Sequence, residues 1–139
     1  MADAKIAMLG RVPLFASCPS KSMELIGQLS DEVDVPDGYV LMRQGDLGQE
    51  FFLIIDGHVR IERNGETVAT LHRGDFLGEI ALLAEDRRTA TATTEGPARL
   101  LVIGRGAFKS LLDVSPDIRA SVMTALVARI RRLEPEAVT

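Results

Sequence analysis

The sequence predicts an α+β fold. An antiparallel β-roll or jelly-roll barrel is flanked by N-terminal helices, holds one short internal helix and ends in C-terminal helices. Three observations predict it. Between Val33 and Leu71, short apolar or alternating runs recur and are separated by turn glycines. Both ends of the chain instead carry apolar residues at helical spacing. The length, 139 residues, suits one domain. The expected division is a helical segment over 1–30, the roll over 31–104 and C-terminal helices over 105–134.

Residues 2–29 read as helical pieces. Asp3–Leu9 is broken by Gly10, and Pro13 and Pro19 punctuate the stretch between Gly10 and Ser20. Ser20 is placed to cap a helix running to about Leu29, with Leu25, Ile26 and Leu29 on one side. Leu9, Val12, Leu14 and Phe15 form an apolar cluster that must bury against something.

The roll begins with strands at Val33–Val35 and Tyr39–Met42, joined by the turn Pro36-Asp37-Gly38. Gln44-Gly45-Asp46-Leu47-Gly48 is a loop whose glycines imply tight backbone geometry. Phe51–Ile55 is continuously apolar, as a strand buried on both faces would be. Asp56-Gly57 reads as a turn, and Val59–Glu62 and Val68–Leu71 are alternating strands around Asn64-Gly65, the preferred two-residue hairpin turn. Thr89–Thr94 and Arg99–Ile103 read as two more strands, with Gly96-Pro97 turning the chain between them.

Arg105–Leu112 is a short helix. Ser115-Pro116-Asp117 then opens a longer one with an N-cap, a proline at the first helical position and an acid in the first turn. Ile118, Val122, Leu126, Ile130 and Leu133 share one face of it. Arg129, Arg131 and Arg132 lie near its C-terminus, where cations suit the helix dipole, and Glu134-Pro135 ends it.

Composition excludes several function classes. A net charge of −4, with scattered basic residues, argues against nucleic acid as a direct partner. No run is long enough for a membrane span, and the apolar Ile6–Leu9 is too brief for a signal peptide. Cys18 is the only cysteine, so no intramolecular disulfide forms. A cytoplasmic location is the default expectation.

Residues 76–90 carry the chemistry. Gly78 precedes Glu79 and the apolar run Ile80-Ala81-Leu82-Leu83, a charged loop comes next, and Arg88-Thr89-Ala90 closes the stretch. The spacing predicts a loop that feeds one helical turn and returns into a strand. The N–H groups of Glu79, Ile80 and Ala81 at the start of that turn have no intrahelical partners, so they form an anion site. Gly78 lets the backbone approach a ligand closely. Arg88 offers a planar fork suited to a phosphate. Glu79 beside a phosphate needs a donor of its own, and a sugar hydroxyl fits.

In order, spacing and flanking residues, Gly78-Glu79-Ile80-Ala81-Leu82-Leu83 with the later Arg88-Thr89-Ala90 closely resembles the phosphate-binding cassette of the cyclic nucleotide-binding domain family. The turn glycines at 38, 45, 57 and 74 also match that family, so the resemblance covers nearly the whole chain. It implies cAMP or cGMP as ligand, with no separate cofactor and no metal. It implies that Arg88 pairs with the cyclic phosphate, that Glu79 accepts from the ribose 2′-hydroxyl, and that the amides of Ala81 and Thr89 add phosphate contacts. It puts the base between the hairpin strands, with Ile61, Ala69 and Leu71 as its apolar wall, and the final helix, where Arg129 stands at a position used in relatives to cover the base. The same wall residues also read as ordinary roll core, and Arg129 as a surface charge at a helix end. Thr89 is compatible with either nucleotide, and the reading favours cAMP. Two departures are mild: Leu77 stands where a smaller or aromatic residue is frequent, and Arg87 replaces a frequent proline.

The expected function is a regulatory sensor domain that couples ligand capture to movement of the C-terminal helix, without enzymatic activity. A downstream protein or fused effector would supply the output. Two alternatives compete. A degenerate roll that kept its shape and lost its ligand would be an interaction domain. A cupin-type metalloenzyme needs converging ligands, whereas only His58 and His72 are present, both expected at loop edges in solvent.

Overall fold

A computed structural model of the chain describes Phe15, residues 18–78 and residues 87–133. The expected piece at Asp3–Leu9, the apolar residues Leu9, Val12 and Leu14, and the cassette residues Glu79 to Asp86 lie outside the described residues. The elements run α1 Ser20–Leu29, β1 Asp31–Val35, β2 Val40–Met42, β3 Glu50–Arg63, β4 Glu66–Leu71, β5 Phe76–Leu77, β6 Thr91–Gly104, α2 Arg105–Val114 and α3 Pro116–Leu133.

Two long strands organise the sheet. β3 and β6 pair antiparallel from Glu50↔Gly104 to Glu62↔Thr91. On its other edge β6 takes β1 along one half and β2 near its start. β3 takes β5 near its start and β4 along its far half. The ladder among the described residues therefore runs β1–β6–β3–β4, with β2 and β5 filling the remaining edges.

This corrects the expectation of four shorter strands. Asp56-Gly57 does not reverse the chain, and neither does Gly96-Pro97; both are irregularities inside continuous strands, lying near each other across the ladder. Gly57 has φ 105° and Gly96 has φ 82°. A left-handed residue can absorb a bulge without ending the pairing, so a glycine–turn signature here marks a kink. The Asn64-Gly65 hairpin is as expected, with φ 54° and 82° at its two central residues, the signs a type I′ turn requires.

β3 is apolar on both sides because it separates two cores. Phe51 and Leu53 face the helices, with Leu101 and Ile103 of β6, Ile26, Phe108, Leu111, Ile118 and Val122. Phe52 and Ile54 face the inside of the roll, with Val59, Leu77, Ala92, Ala98 and Leu100. Inward-facing positions on β3 are even before the bulge (52, 54) and odd after it (59, 61). The extra residue at the bulge shifts the phase of the alternation.

The helices pack on one side of this sheet. In α1, Ile26 is buried and Leu25 half-buried, whereas Leu29, the last residue of the helix, is exposed. Pro19, not Ser20, occupies the N-cap position of α1, and no side chain caps it. In α3, Ser115 is the cap expected: its Oγ accepts from the Ile118 amide at 3.3 Å. Ser22 Oγ of α1 lies 3.1 Å from the same hydroxyl. The side chains of Leu126, Ile130 and Leu133 lie outside the described ones.

Candidate functional site

The site grows from the segment after residue 86. Arg87 forms an antiparallel bridge with Leu47, and its guanidinium donates to the Gly45 carbonyl at 2.9 Å. The Arg88 amide donates to the Asp46 carbonyl at 2.7 Å, and the Gly45 amide donates to the Arg88 carbonyl at 3.0 Å. The loop Gln44–Gly48 thus grips the arginine backbone from both sides. Gly45 has φ 92°, which lets that loop turn tightly enough to do so.

The Arg88 side chain then runs inward and is 5% exposed. Nη1 donates to the Gly78 carbonyl at 3.0 Å, and Nη2 donates to the Glu50 carbonyl at 2.6 Å. The guanidinium carbon lies 6.0 Å from the ring centroid of Phe52, at the edge of cation–π range. Burying a guanidinium costs free energy that only specific partners offset. Here two backbone carbonyls fix the plane of the fork.

Gly78 is matched to that arginine. Its φ is 95°, and a Cβ built on it would lie 2.6 Å from Arg88 Nη1 and 2.6 Å from the Glu50 carbonyl oxygen. Glycine is therefore required twice, for conformation and for space.

The remaining expected residues fall into four groups. Glu79, Ile80 and Ala81 fall outside the described residues. Thr89 is exposed and its carbonyl accepts from Arg63 Nε at 3.3 Å, while Ala90 is buried. On the sheet, Ile61 is paired with Ala69 on one side and Ala92 on the other, so small side chains flank it. Ile61 and Leu71 are half-buried against the roll interior. Arg129 belongs to α3, but its side chain is not among those described.

Sequence reading missed the supports of Arg88. The Glu50 carbonyl, the Phe52 ring and the Asp46 carbonyl carry no side-chain signature of such a role. The Gln44–Gly48 glycines were the one available signal.

Among the described residues, no group of three or more His, Cys, Asp or Glu is arranged to hold a metal ion. His58 lies within β3, opposite Glu95, rather than at a loop edge as expected. His72 is exposed, with Nδ1 3.2 Å from Asp75 Oδ2. Arg60 and Arg99 titrate above the ordinary arginine range, held charged by hydrogen bonds to Glu62 and Asp34 respectively, and both are surface groups. No helix among the described residues is long and apolar enough to cross a membrane.

Comparisons with known proteins converge on one family. The family model described as the cyclic nucleotide-binding domain matches residues 32–115. The cAMP-dependent protein kinase regulatory subunit of Blastocladiella emersonii is 36% identical over 117 residues, covering 81% of this chain and 29% of that protein. The chain thus spans under a third of that relative's length. The solved catabolite activator protein of Thermus thermophilus has a TM-score of 0.80 at 30% identity, covering 90% of this chain and 61% of that one. A regulatory subunit of a cAMP-independent protein kinase A from Trypanosoma brucei has a TM-score of 0.84 at 17% identity, covering 99% of this chain and 48% of that one. At that identity the likeness speaks for the fold alone.

Proposed function

This chain belongs to the cyclic nucleotide-binding domain family, and from that premise we propose that it captures cAMP, or second to it cGMP, as a regulatory sensor module. The observation that carries the reading is the buried Arg88 guanidinium, its fork oriented by the carbonyls of Gly78 and Glu50. An oriented cation in a water-poor setting attracts a phosphate more strongly than an exposed one does.

In this reading Arg88 pairs with the cyclic phosphate. The amides of Ala81 and Thr89 add donors, with Gly78, Ile80 and Ala90 shaping the cradle, and Glu79 accepts from the ribose 2′-hydroxyl. The base lies against Ile61, Ala69 and Leu71, and the small neighbours Ala69 and Ala92 leave room beside Ile61 for a planar group. Arg129 of α3 covers the base.

Occupancy is relayed by population shift. Phe76, two residues before Gly78, stacks on Phe51 with centroids 5.8 Å apart. Phe51 stacks on Phe108 of α2 at 4.8 Å. A movement of the segment after Phe76 is thereby felt at α2, and through it at α3. The module has no catalytic step of its own. It acts in the cytoplasm on a downstream protein or a fused effector, with no direct contact to nucleic acid.

Titration calorimetry with cAMP and with cGMP tests this, on the parent chain and on Arg88→Ala. Binding by the parent, weakened about thirtyfold or more in the variant, is the expected result. No heat and no thermal shift at millimolar concentrations of either nucleotide would leave a ligand-free interaction domain as the correct reading.

A further inference from the structure

The hairpin tip between β3 and β4 is tied to the loop that holds Arg88 by the side chain of Gln44. Gln44 Nε2 donates to Asn64 Oδ1 at 2.9 Å, and Gln44 Oε1 accepts from the Asn64 amide at 2.9 Å. One primary amide thus closes a ring with both the side chain and the backbone of Asn64. The backbone of Gln44 is engaged as well, its amide donating to Thr91 Oγ1 at 2.9 Å. The next two residues, Gly45 and Asp46, are those that hold the Arg88 backbone. A fourth bond, Arg63 Nε to the Thr89 carbonyl, runs parallel to this bridge.

We propose that Gln44 is a positioning residue for Arg88, locking the loop that grips the arginine to the hairpin whose inner face carries Ile61, Ala69 and Leu71. Exposed hydrogen bonds are individually weak, because water competes for each partner. Two bonds from one rigid amide to one residue lose less on formation than two independent ones, since a single side chain is ordered for both. Asn64 is already fixed in the left-handed region at φ 54°, so its backbone amide is presented without further ordering. The consequence is mechanical. The ring adds to the β3–β6 ladder and the Arg63 bond in coupling the phosphate end of the pocket to its base end, and that coupling loosens once the ring opens. The part of this that concerns ligand rests on the cyclic nucleotide reading above; the part that concerns the Arg88 backbone does not.

The experiment therefore has a ligand-free arm. Amide hydrogen exchange is followed in the parent, Gln44→Ala, Asn64→Gly and the double variant; glycine retains the turn conformation at 64 and removes only the side chain. Gln44→Ala is expected to speed exchange at Gly45 and Arg88 about tenfold and Asn64→Gly by less, with Leu53 and Leu101 unchanged as fold controls. The double variant goes no further than Gln44→Ala, which already removes both bonds, whereas Asn64→Gly leaves the amide of residue 64 donating to Gln44 Oε1. In the second arm, cAMP affinity falls about fivefold to tenfold in Gln44→Ala, no further in the double variant, and by less in Asn64→Gly. Unchanged protection at Gly45 and Arg88 in a folded Gln44→Ala protein overturns the proposal. So does a loss of affinity with protection intact. If protection falls as expected but the parent chain binds neither cAMP nor cGMP, the positioning role stands and the ligand reading is the one that fails.

Discussion

Gly78 and Arg88 are fitted to each other: the guanidinium donates to the glycine carbonyl at 3.0 Å, and the space a side chain would need at residue 78 is already taken by that same nitrogen. Ten positions apart in sequence, the two cannot be altered independently. Gly78→Ala adds a methyl group 2.6 Å from Arg88 Nη1 and 2.6 Å from the Glu50 carbonyl, at φ 95°. It is expected to cost about 1–3 kcal/mol from backbone strain alone, and to expel the guanidinium from its carbonyl pair. Urea unfolding and cAMP titration of the variant both decline if this is right. Retention of parental affinity would mean that Arg88 finds an equally good position elsewhere.

Arg88→Lys distinguishes geometry from charge. Lysine keeps the cation but has no planar fork to span the Gly78 and Glu50 carbonyls. Affinity for cAMP is expected to stay well below that of the parent and close to that of Arg88→Ala. Near-parental binding by the lysine variant would show that a point charge suffices.

Gly57→Ala probes the fold apart from the site. A Cβ there would lie 2.8 Å from both the Ala98 Cβ and the Pro97 carbonyl, at φ 105°. A stability loss of about 2 kcal/mol or more is expected from strain and overpacking together. The test is chemical denaturation, with ligand affinity measured on the fraction that remains folded. That affinity should hold, since the bulge lies away from Arg88's partners.

Phe108→Ala removes the ring that stacks on Phe51 and opens a cavity between α2 and the sheet. The expected cost is about 3–5 kcal/mol, as for buried aromatic truncations generally. A loss below about 1 kcal/mol would mean that the helix layer collapses to fill the space.

Ser115→Ala tests the start of α3. The hydroxyl caps the Ile118 amide and meets Ser22 of α1. Loss of about 1 kcal/mol is expected from the cap, measured by urea unfolding. Ser115→Asp should restore much of it, because a carboxylate also accepts from the first-turn amides.

Much of this was legible in the residues themselves. The hairpin was readable because Asn64-Gly65 permits only a narrow set of turns, and the cap of α3 because Ser115-Pro116-Asp117 combines three local preferences. The long strands were not readable. A glycine at positive φ serves a turn and a bulge equally well, and only the cross-strand partners of Asp56-Gly57 decide which it is. Ser20 failed as a cap for a similar reason, since helix entry was set one residue earlier at Pro19. At the site, Arg88 was identifiable from its spacing to Gly78. Its partners were not, because carbonyl oxygens belong to every residue and carry no sequence signal.

The kink at Asp56-Gly57 leaves the two ends of β3 out of step, with even positions inside at one end and odd positions inside at the other. Pieces of related chains can therefore be exchanged across this point only if the kink travels with them. A chimaera joined within it, so that one end keeps the wrong parity, would turn Arg60 and Glu62 toward the cavity and Val59 and Ile61 toward water. The seam for recombining this fold is set by a count of residues rather than by their kind.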